Sequence, residues 1–287
     1  EKANDRFNVE TIYYMYTNND VETLSQTEAT EAEEDLSSGL KWISFKQKFF
    51  SYAIVSKDSF DDAFVEMHTK SRPSNSRYQK SMSAIIDIPF DGLNEDNTIG
   101  MSYYFGPNDF KELKQYDINL EKQIPLGGKL VAWINRLIVI PVFDWLGQYG
   151  WSYGVVILIL TLIIKICLMP IAFKSYMSSA KMRVLKPEID AINEKYPKQE
   201  DAMKKQQAIM DLYKKAGASP TSGCLPMLLQ FPILIAIFRF FPSSIELRQQ
   251  PFLWADDLST YDSILDLPFN IPFYGDHVSL FTLLMTA

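Results

Sequence analysis

One cation lies inside a long apolar run and is the residue best placed to do chemistry. The run from Trp151 to Phe173 has 18 apolar residues among 23, and Lys165 is its only charged residue. Lys165 precedes Lys174 by nine positions, which is about 13 Å of helix. Thr161 lies one helical turn before Lys165, so a hydroxyl and an ammonium share a face. This pattern predicts a hydrated site that attracts polar or acidic segments. The alternative is a snorkelling lysine beside a backbone-bonded threonine.

Residues for other kinds of chemistry are missing from the sequence. It contains no G-x-S-x-G, H-E-x-x-H, G-x-x-x-x-G-K-[ST] or G-x-G-x-x-G motif, so classical catalysis is not expected. His68 and His277 lie in unrelated polar contexts and are predicted to be solvated or capping residues. Cys167 and Cys224 lie in apolar stretches and supply neither a disulfide framework nor four zinc ligands. We therefore expect no enzymatic activity, no metal and no cofactor.

The elements around Lys165 have the composition of membrane spans. Residues 151–173 and 224–241 would each form a helix of about 27–35 Å, enough for a hydrocarbon core of about 30 Å. Residues 278–287 are apolar at seven of ten positions and are predicted to begin a further span. Because this run stops after about half a bilayer, and because the chain starts at Glu1, we expect a fragment of a longer protein.

Charge is unevenly distributed along the 287 residues, whose net charge is −7. Residues 1–128 carry 13 basic and 22 acidic side chains, whereas residues 174–215 carry ten basic and six acidic ones. Basic loops concentrate on the cytoplasmic side of membranes, so the 174–215 loop is predicted inside and the acidic half outside. The overall negative charge argues against specific recognition of nucleic acid.

The acidic half has the alternating pattern of β-strands. Runs of alternating apolar and polar residues, bounded by turn-forming residues, predict an antiparallel sandwich whose earlier strands lie outside the chain. The runs are Thr11–Thr17, Leu40–Val55, Ser83–Pro89 and Thr98–Phe105. Ser25–Gly39, with five acidic residues, is predicted to be a solvated loop without function.

An amphipathic helix is predicted between the two halves. Leu130–Leu146 is apolar at 13 of 17 positions, and Lys129, Arg136 and Asp144 fall on one narrow helical face. The competing hypothesis is a third full span, but each buried charge would cost about 2.5 kcal/mol or more. We therefore expect a helix along the membrane surface, kinked at Pro141.

The basic loop has heptad spacing. Five apolar side chains, spaced 3, 4, 3 and 4 apart, precede a second helical stretch from Glu200 to Ala216, and together they predict a short coiled-coil hairpin. The spaced side chains are Met182, Leu185, Ile189, Ile192 and Tyr196. The hairpin is either a solvated connector or a docking site for an anionic partner or a partner helix. Its candidate docking residues are Lys181, Arg183, Lys186, Lys204 and Lys205.

Several of these segments together resemble one family, the YidC membrane protein insertases of the YidC/Oxa/Alb group. Tyr176–Leu185, followed by Lys-Pro-Glu-Ile, is similar to the start of the family's cytoplasmic hairpin. Gly223–Ile233 is similar to its third transmembrane helix, and Ile245–Phe252 to the following loop. Trp42–Phe50 and Gly106-Pro107 resemble the large periplasmic domain of Gram-negative members.

The resemblance implies an α+β membrane protein. Residues 1–124 would be the C-terminal part of a periplasmic antiparallel β-supersandwich, and residues 125–148 an interface helix. Residues 149–287 would form a helical transmembrane insertase core in the bacterial inner membrane. Within this core we expect spans at 151–173 and 224–241, a cytoplasmic coiled-coil hairpin at 174–217, a periplasmic loop at 242–277 and the start of a further span at 278–287.

The same resemblance implies roles for individual residues. Lys165 occupies the position of a family arginine in a hydrophilic groove, and Thr161 matches another groove position. Residues of the third span are expected to contact the inserting substrate: Gln230, Phe231, Pro232 and Ile233. The expected partners are nascent membrane proteins, the Sec translocon, the ribosome and the lipid bilayer.

Two other functions are compatible with the residues. The chain is alternatively a periplasmic ligand-binding β-sandwich that the spans merely anchor, or an ion channel. A charge within a span disfavours a simple anchor, because an anchor does not need one.

Overall fold

The computed structural model describes residues 10–24, 31–69, 80–88, 99–196, 201–217, 225–271 and 275–286. The chain divides into two compact units. The first comprises Glu1–Pro125 together with Pro242–Arg248, and the second comprises Leu126–Phe241 together with Gln249–Ala287. The predicted domain boundary at residue 124 lies one residue before Pro125, where the first stretch of the β unit ends. The prediction placed residues 242–248 with the membrane core, whereas here they group with the β unit.

The first unit is built on two antiparallel sheets. One sheet has the strand order β2-β1-β4-β5-β8 and the other the order β3-β6-β7. The strands are β1 (Thr11–Tyr16), β2 (Val21–Thr23), β3 (Glu31–Leu36), β4 (Leu40–Lys46), β5 (Phe50–Phe60), β6 (Ala63–Thr69), β7 (Lys80–Ile86) and β8 (Met101–Pro107). A short helix α1 (Phe110–Lys114) and a 3₁₀ turn (Leu120–Gln123) follow β8.

Both sheets contribute to one hydrophobic core. Their alternate residues point inward, and the buried cluster includes Ile12 and Ile43 from the first sheet and Leu36, Val65 and Met67 from the second. Burial of apolar surface is the main stabilising term for such a domain. The predicted antiparallel β-sheet region is therefore confirmed.

Two details of the β prediction were wrong. Ser25–Gly39 was predicted to be a loop, yet Glu31–Leu36 forms strand β3 and pairs with β6 along its length. Its acidic side chains at positions 31, 33 and 35 are exposed, whereas the alternate residues are half-buried or buried. An edge strand with one solvated face tolerates this charge. The single predicted run Leu40–Val55 is a hairpin of β4 and β5.

The second unit is mainly helical. Its helices are α2 (Lys129–Ile134), α3 (Ile140–Gly147), α4 (Tyr153–Val184), α5 (Lys186–Lys195), α6 (Ala202–Lys215), α7 (Leu225–Phe240) and α8 (Leu280–Thr286). A π-helical turn, Asn135–Val139, joins α2 to α3. A hairpin of β9 (Leu265–Ile271) and β10 (Gly275–Val278) precedes α8.

The longest helix extends beyond the predicted span. α4 has 32 residues, about 48 Å, which exceeds a hydrocarbon core of about 30 Å. Its last residues, with Lys181 and Arg183, therefore belong to the same helix as Lys165. The heptad spacing predicted one helix from Met182 to Tyr196, but α4 ends at Val184 and α5 begins at Lys186. Pro187 in the first turn of α5 has no backbone N–H to continue the preceding helix.

The predicted amphipathic helix forms. Its exposed side chains are apolar: Leu130, Trp133, Leu137, Ile138 and Trp145. Arg136 and Asp144 are half-buried, and Asn135 is fully buried with Nδ2 donating to the carbonyl of Leu126 at 3.1 Å. The π turn Asn135–Val139, which precedes Pro141, interrupts the regular α-helical spacing.

Among the described residues, two helical stretches are long and apolar enough to cross a membrane. They are Lys129–Gly147, with 19 residues, and Tyr153–Val184. Leu228–Ser243 is apolar but shorter. The surface location of residues 125–148 and the crossing at 224–241 therefore stay predictions. The apolar outward face of the 129–147 stretch suits contact with lipid in either arrangement.

A buried carboxylate organises the start of α8. Asp262 accepts hydrogen bonds from Trp254 Nε1 at 2.9 Å and from the backbone N–H groups of Leu280 and Phe281 at 2.8 and 3.0 Å, and Ser279 Oγ donates to its other oxygen. Burial alone raises the pKa of Asp262, but these donors outweigh it and the pKa is lowered. The helix therefore begins at Leu280, after β10, and not at the predicted Val278.

The loop that follows α7 packs against the first turn of α4. Gly154 is buried, and a Cβ atom built on it would overlap the ring of Phe252. A glycine at this position therefore allows the loop to approach the helix closely.

Replacing this glycine tests the loop contact. Gly154→Ala is expected to lower stability by about 1–3 kcal/mol, because the methyl group displaces the Phe252 ring from a packed site. Thermal unfolding of the purified protein in lipid nanodiscs measures the change. Gly128→Ala is the matched control, since its Cβ would meet no described atom within 4 Å. Equal unfolding midpoints for the two variants would contradict the contact.

Candidate functional site

Lys165 and Thr161 lie on the surface of α4. Both residues are exposed, and Thr161 Oγ1 donates a hydrogen bond to the carbonyl of Ile157 at 2.8 Å. The threonine is thus backbone-bonded, as in the alternative considered from the sequence. Lys165 makes no hydrogen bond or ion pair within the described part of the chain. The described residues therefore leave its ammonium group available to another molecule.

Most buried residues of α4 lie near its start, and the buried residues described on α7 lie near its end; Ser175 of α4 is a further buried residue. The two helices contact one another. The buried residues of α4 near its start are Gly154, Val156 and Leu160, and those of α7 near its end are Ala236 and Phe240. None of residues 161–174 or 228–235 is buried by the described structure.

The uncovered parts of these helices are strongly apolar. Their largest exposed side chains are Leu162, Ile166, Met169 and Phe173 on α4 and Leu228, Leu229, Phe231 and Leu234 on α7. Lys165 lies among the four from α4. Such a surface is unfavourable in water and suits lipid or an apolar polypeptide segment.

The predicted substrate-contacting residues share α7 but differ in exposure. Phe231 has 56% of its surface exposed, whereas Gln230, Pro232 and Ile233 are half-buried. Pro232 lies inside the helix, where it removes one backbone donor. Phe231 is thus the member of this group that a passing segment reaches most directly.

The predicted docking lysines and arginine are spread over three helices. Lys181 and Arg183 lie on α4, Lys186 on α5, and Lys204 and Lys205 on α6. All are exposed except Lys205, which is half-buried, and Lys204 Nζ pairs with Asp201 Oδ1 at 3.2 Å. Helices α5 and α6 contact each other, and the coiled-coil hairpin of this region stays a prediction.

An aromatic cluster next to α4 was not predicted from the sequence. Tyr149 lies edge-on to Trp145, with ring centroids 5.4 Å apart, and stacks with Trp151 at 5.2 Å. About half of each side chain is exposed. Tyrosine and tryptophan concentrate at membrane–water interfaces, so their occurrence just before an apolar run was the available signal.

The first unit has a groove relevant to the ligand-binding alternative. It has a volume of about 460 Å³. Phe45, Tyr52 and Phe105, directly opposite one another on adjacent strands, stack along it with centroid separations of 5.8 and 4.5 Å. Within the described ranges, no three His, Cys, Asp or Glu side chains are arranged to hold a metal ion. The groove therefore offers aromatic packing to a ligand.

Comparison with known families matches both units. The family described as "YidC periplasmic domain" matches residues 4–141, and the family described as "60Kd inner membrane protein" matches residues 145–287. The antiparallel β region thus matches a periplasmic domain and the apolar helices match an inner membrane protein, so the chain belongs to the class of inner-membrane proteins with a periplasmic domain.

Individual relatives identify the family within this class of inner-membrane proteins. The membrane protein insertase YidC of Bacteroides fragilis is 52% identical over 280 residues, covering 96% of this chain and 44% of the relative. The insertase of Parabacteroides distasonis is 47% identical over 297 residues, covering 99% and 46%. That of Porphyromonas gingivalis is 43% identical over 289 residues, covering 96% and 46%. The chain belongs to the YidC membrane protein insertase family. It spans about half the length of these curated relatives.

Proposed function

We propose that the protein inserts nascent membrane proteins into the bacterial inner membrane and assists their folding. Its membership of the YidC family and its similarity to membrane protein insertases support this activity. No bond is made or broken in such a process, so the absence of enzyme motifs from the sequence is compatible with it.

The proposal is based on the uncovered parts of α4 and α7, residues 161–174 and 228–235. A lone cation lies on an apolar surface that would otherwise face hydrocarbon, where a charged side chain costs about 2.5 kcal/mol or more. A hydrated groove beside these helices removes much of that cost. In it, Lys165 attracts the polar or acidic part of a substrate while Thr161 adds a hydroxyl oxygen.

Phe231 and its neighbours form the apolar side of the proposed path. A hydrophobic substrate segment leaving the groove gains contact with Phe231 and Leu228, both exposed on α7. Gln230, Pro232 and Ile233 adjoin this surface. The segment then exchanges contacts with the protein for contacts with lipid at little cost, because the two surroundings are similarly apolar.

Site-specific crosslinking tests the path. A photo-crosslinking residue at Phe231 of the full-length protein should form adducts with ribosome-bound nascent chains of a single-span membrane protein. Adducts should require the hydrophobic segment of the nascent chain. Ala236 is the matched control on the same helix, because it is fully buried and should crosslink little.

Two outcomes would contradict insertion along α7. One is the lack of any adduct at position 231 while the same nascent chains are inserted. The other is equal crosslinking at positions 231 and 236.

Substitution of Lys165 tests whether its positive charge recruits acidic substrate segments. Lys165→Arg should retain insertion, because the positive charge remains and the guanidinium adds hydrogen-bond donors. Lys165→Leu should reduce insertion of substrates with acidic translocated tails by about 10-fold, since a charge pair at 4 Å is worth about 1–4 kcal/mol. An in vitro insertion assay with acidic-tailed and neutral-tailed substrates measures both effects.

Lys174→Leu is the matched control for Lys165→Leu. Lys174 is an exposed lysine on the same helix but lies outside the apolar run. Full activity of Lys165→Leu on acidic-tailed substrates would exclude charge recruitment.

The helical hairpin is proposed to dock ribosomes. Its basic side chains at Lys181, Arg183, Lys186, Lys204 and Lys205 complement the phosphates of ribosomal RNA without reading its sequence. Deleting residues 186–214 should reduce co-sedimentation of the full-length protein with ribosomes. Unchanged co-sedimentation would make the hairpin a connector.

The cellular arrangement follows from the same proposal. The β unit would lie in the periplasm, the hairpin in the cytoplasm and the apolar helices in the bilayer, as the positive-inside rule predicts. The protein would act alone or beside the Sec translocon, and co-purification of the translocon with the tagged protein tests the second mode.

A further inference from the structure

The tryptophans of the chain fall into two groups according to their hydrogen bonds. Trp42 and Trp254 donate their indole N–H groups to oxygen atoms of the protein at 2.8 and 2.9 Å. Trp133, Trp145 and Trp151 are about half exposed, and within the described part of the chain they make no hydrogen bond. A buried or membrane-bound indole N–H is usually paired. The N–H groups of the second group are therefore available to an acceptor outside this chain.

Two of these tryptophans belong to the aromatic cluster of Trp145, Tyr149 and Trp151, which directly precedes α4. The hydroxyl group of Tyr149 also has no partner among the residues that the structure describes. Gly150 has a φ of +70°, a left-handed conformation that residues with a Cβ atom seldom adopt, and this turn brings the rings of Tyr149 and Trp151 into a stack. The cluster is thus one contiguous surface, apolar over its rings and polar at its N–H and O–H groups.

A phospholipid bilayer offers surroundings that suit both parts of this surface. In water the rings stay hydrated, and in hydrocarbon the N–H and O–H groups lack acceptors. At the boundary between headgroups and hydrocarbon both are satisfied, and tyrosine and tryptophan concentrate there. The cluster is continuous with α4, which is long and apolar enough to cross a membrane, and the inner-membrane family match begins at residue 145. The headgroup boundary of a bilayer is therefore the partner that fits.

The length of α4 does not by itself fix the depth of the helix in a bilayer. The helix is about 48 Å long and exceeds a hydrocarbon core of about 30 Å, so it can lie at more than one depth. Flanking residues then decide the depth. Lys174 and Tyr176 are exposed at the far end of the apolar run, but a lysine stem reaches the boundary from several depths. Three aromatic rings in contact constrain the depth more tightly.

The depth of α4 determines the depth of its buried charge. Lys165 lies 12 residues after Tyr153, where α4 begins, which is about 18 Å along the helix. With the aromatic cluster at one boundary, Lys165 lies beyond the middle of a core of about 30 Å. Water therefore reaches the ammonium group more easily from the side of Lys174 than from the side of the cluster.

We propose that Trp145, Tyr149 and Trp151 bind the headgroup boundary of the phospholipid bilayer and set the depth of α4, and with it the depth of Lys165. The contact with lipid goes beyond the proposed insertion activity and does not depend on it. The importance of the depth of Lys165 rests on the proposed function.

Spin-label accessibility in the full-length protein tests the contact with lipid. A nitroxide is attached at Tyr149→Cys, with every other cysteine replaced, in nanodiscs of phosphatidylethanolamine and phosphatidylglycerol. Its collisions with oxygen, which concentrates in hydrocarbon, are compared with its collisions with a water-soluble nickel chelate. The ratio should place the label at the headgroup boundary. High access to nickel alone would show a surface in water, and low access to both reagents would show packing against another part of the protein; either result would overturn the proposal.

A second label measures the depth of α4. Cys167 is exposed and lies two positions after Lys165, so a nitroxide on it reports the depth of the charge. Replacing Trp145, Tyr149 and Trp151 together by leucine keeps them apolar but removes every N–H and O–H group, so this end of α4 can enter the hydrocarbon. The label should then move by about 3 Å or more towards the opposite boundary, the rise of two helical residues.

Two further variants separate the aromatic cluster from a general loss of aromatic residues. Trp145→Tyr together with Trp151→Tyr should leave the depth of the Cys167 label unchanged, because a phenol is also apolar in its ring and polar at its tip. Tyr116→Leu is the control, since Tyr116 is an exposed tyrosine of the β unit, and it should not change the depth either. An unchanged depth in the triple leucine variant would overturn the proposal.

The outcome for the aromatic cluster is distinguishable from the outcome for the proposed function. Neither label measurement contains a substrate, so an unchanged label depth would leave charge recruitment by Lys165 standing. Full insertion activity of Lys165→Leu would in turn leave the contact of the cluster with lipid standing.

Discussion

The organisation of the second unit depends on the cost of placing a charged side chain among apolar ones. Lys165 is the sole ion in a run of 23 residues, and the structure leaves it uncovered on α4 among exposed apolar side chains. In hydrocarbon this arrangement is expensive, whereas beside water it is tolerated. Residues 161–174 of α4 and 228–235 of α7 include no buried residue, so the charge and the apolar surface are accessible together. The proposed insertase function depends on this accessibility.

The first unit is stabilised in a different way. Its two sheets bury a shared apolar core. What links it to the helical sequence is the chain itself, which passes into the β unit at Pro242 and leaves it after Arg248. In this short passage Ser244 and Leu247 are buried, and the guanidinium of Arg248 lies near the rings of Phe49 and Phe50.

The sequence predicted the coarse architecture because its signals are local and strong. Alternating residues in the first half and long apolar runs in the second follow from the periods of strands and helices. Strand β3 was missed because acidic residues are depleted in strands, and only pairing with β6 makes the edge strand stable. The π turn at Asn135–Val139 was not predicted, because it is a departure from regular helical geometry. The break at Leu185 divides the predicted heptad run for a similar local reason, the proline two residues later.

By itself the sequence determined the isolated cation at Lys165, the opposite charges of the two halves and the motifs that resemble one family. These depend on residue type and spacing, which are fixed along the chain. Only the tertiary structure decided which parts of α4 and α7 are left uncovered and that Gly154 admits Phe252. The second contact joins residues 98 positions apart, and no local periodicity encodes a pairing at such a distance. Burial depends on such pairings, because it is a property of the surroundings and not of the residue.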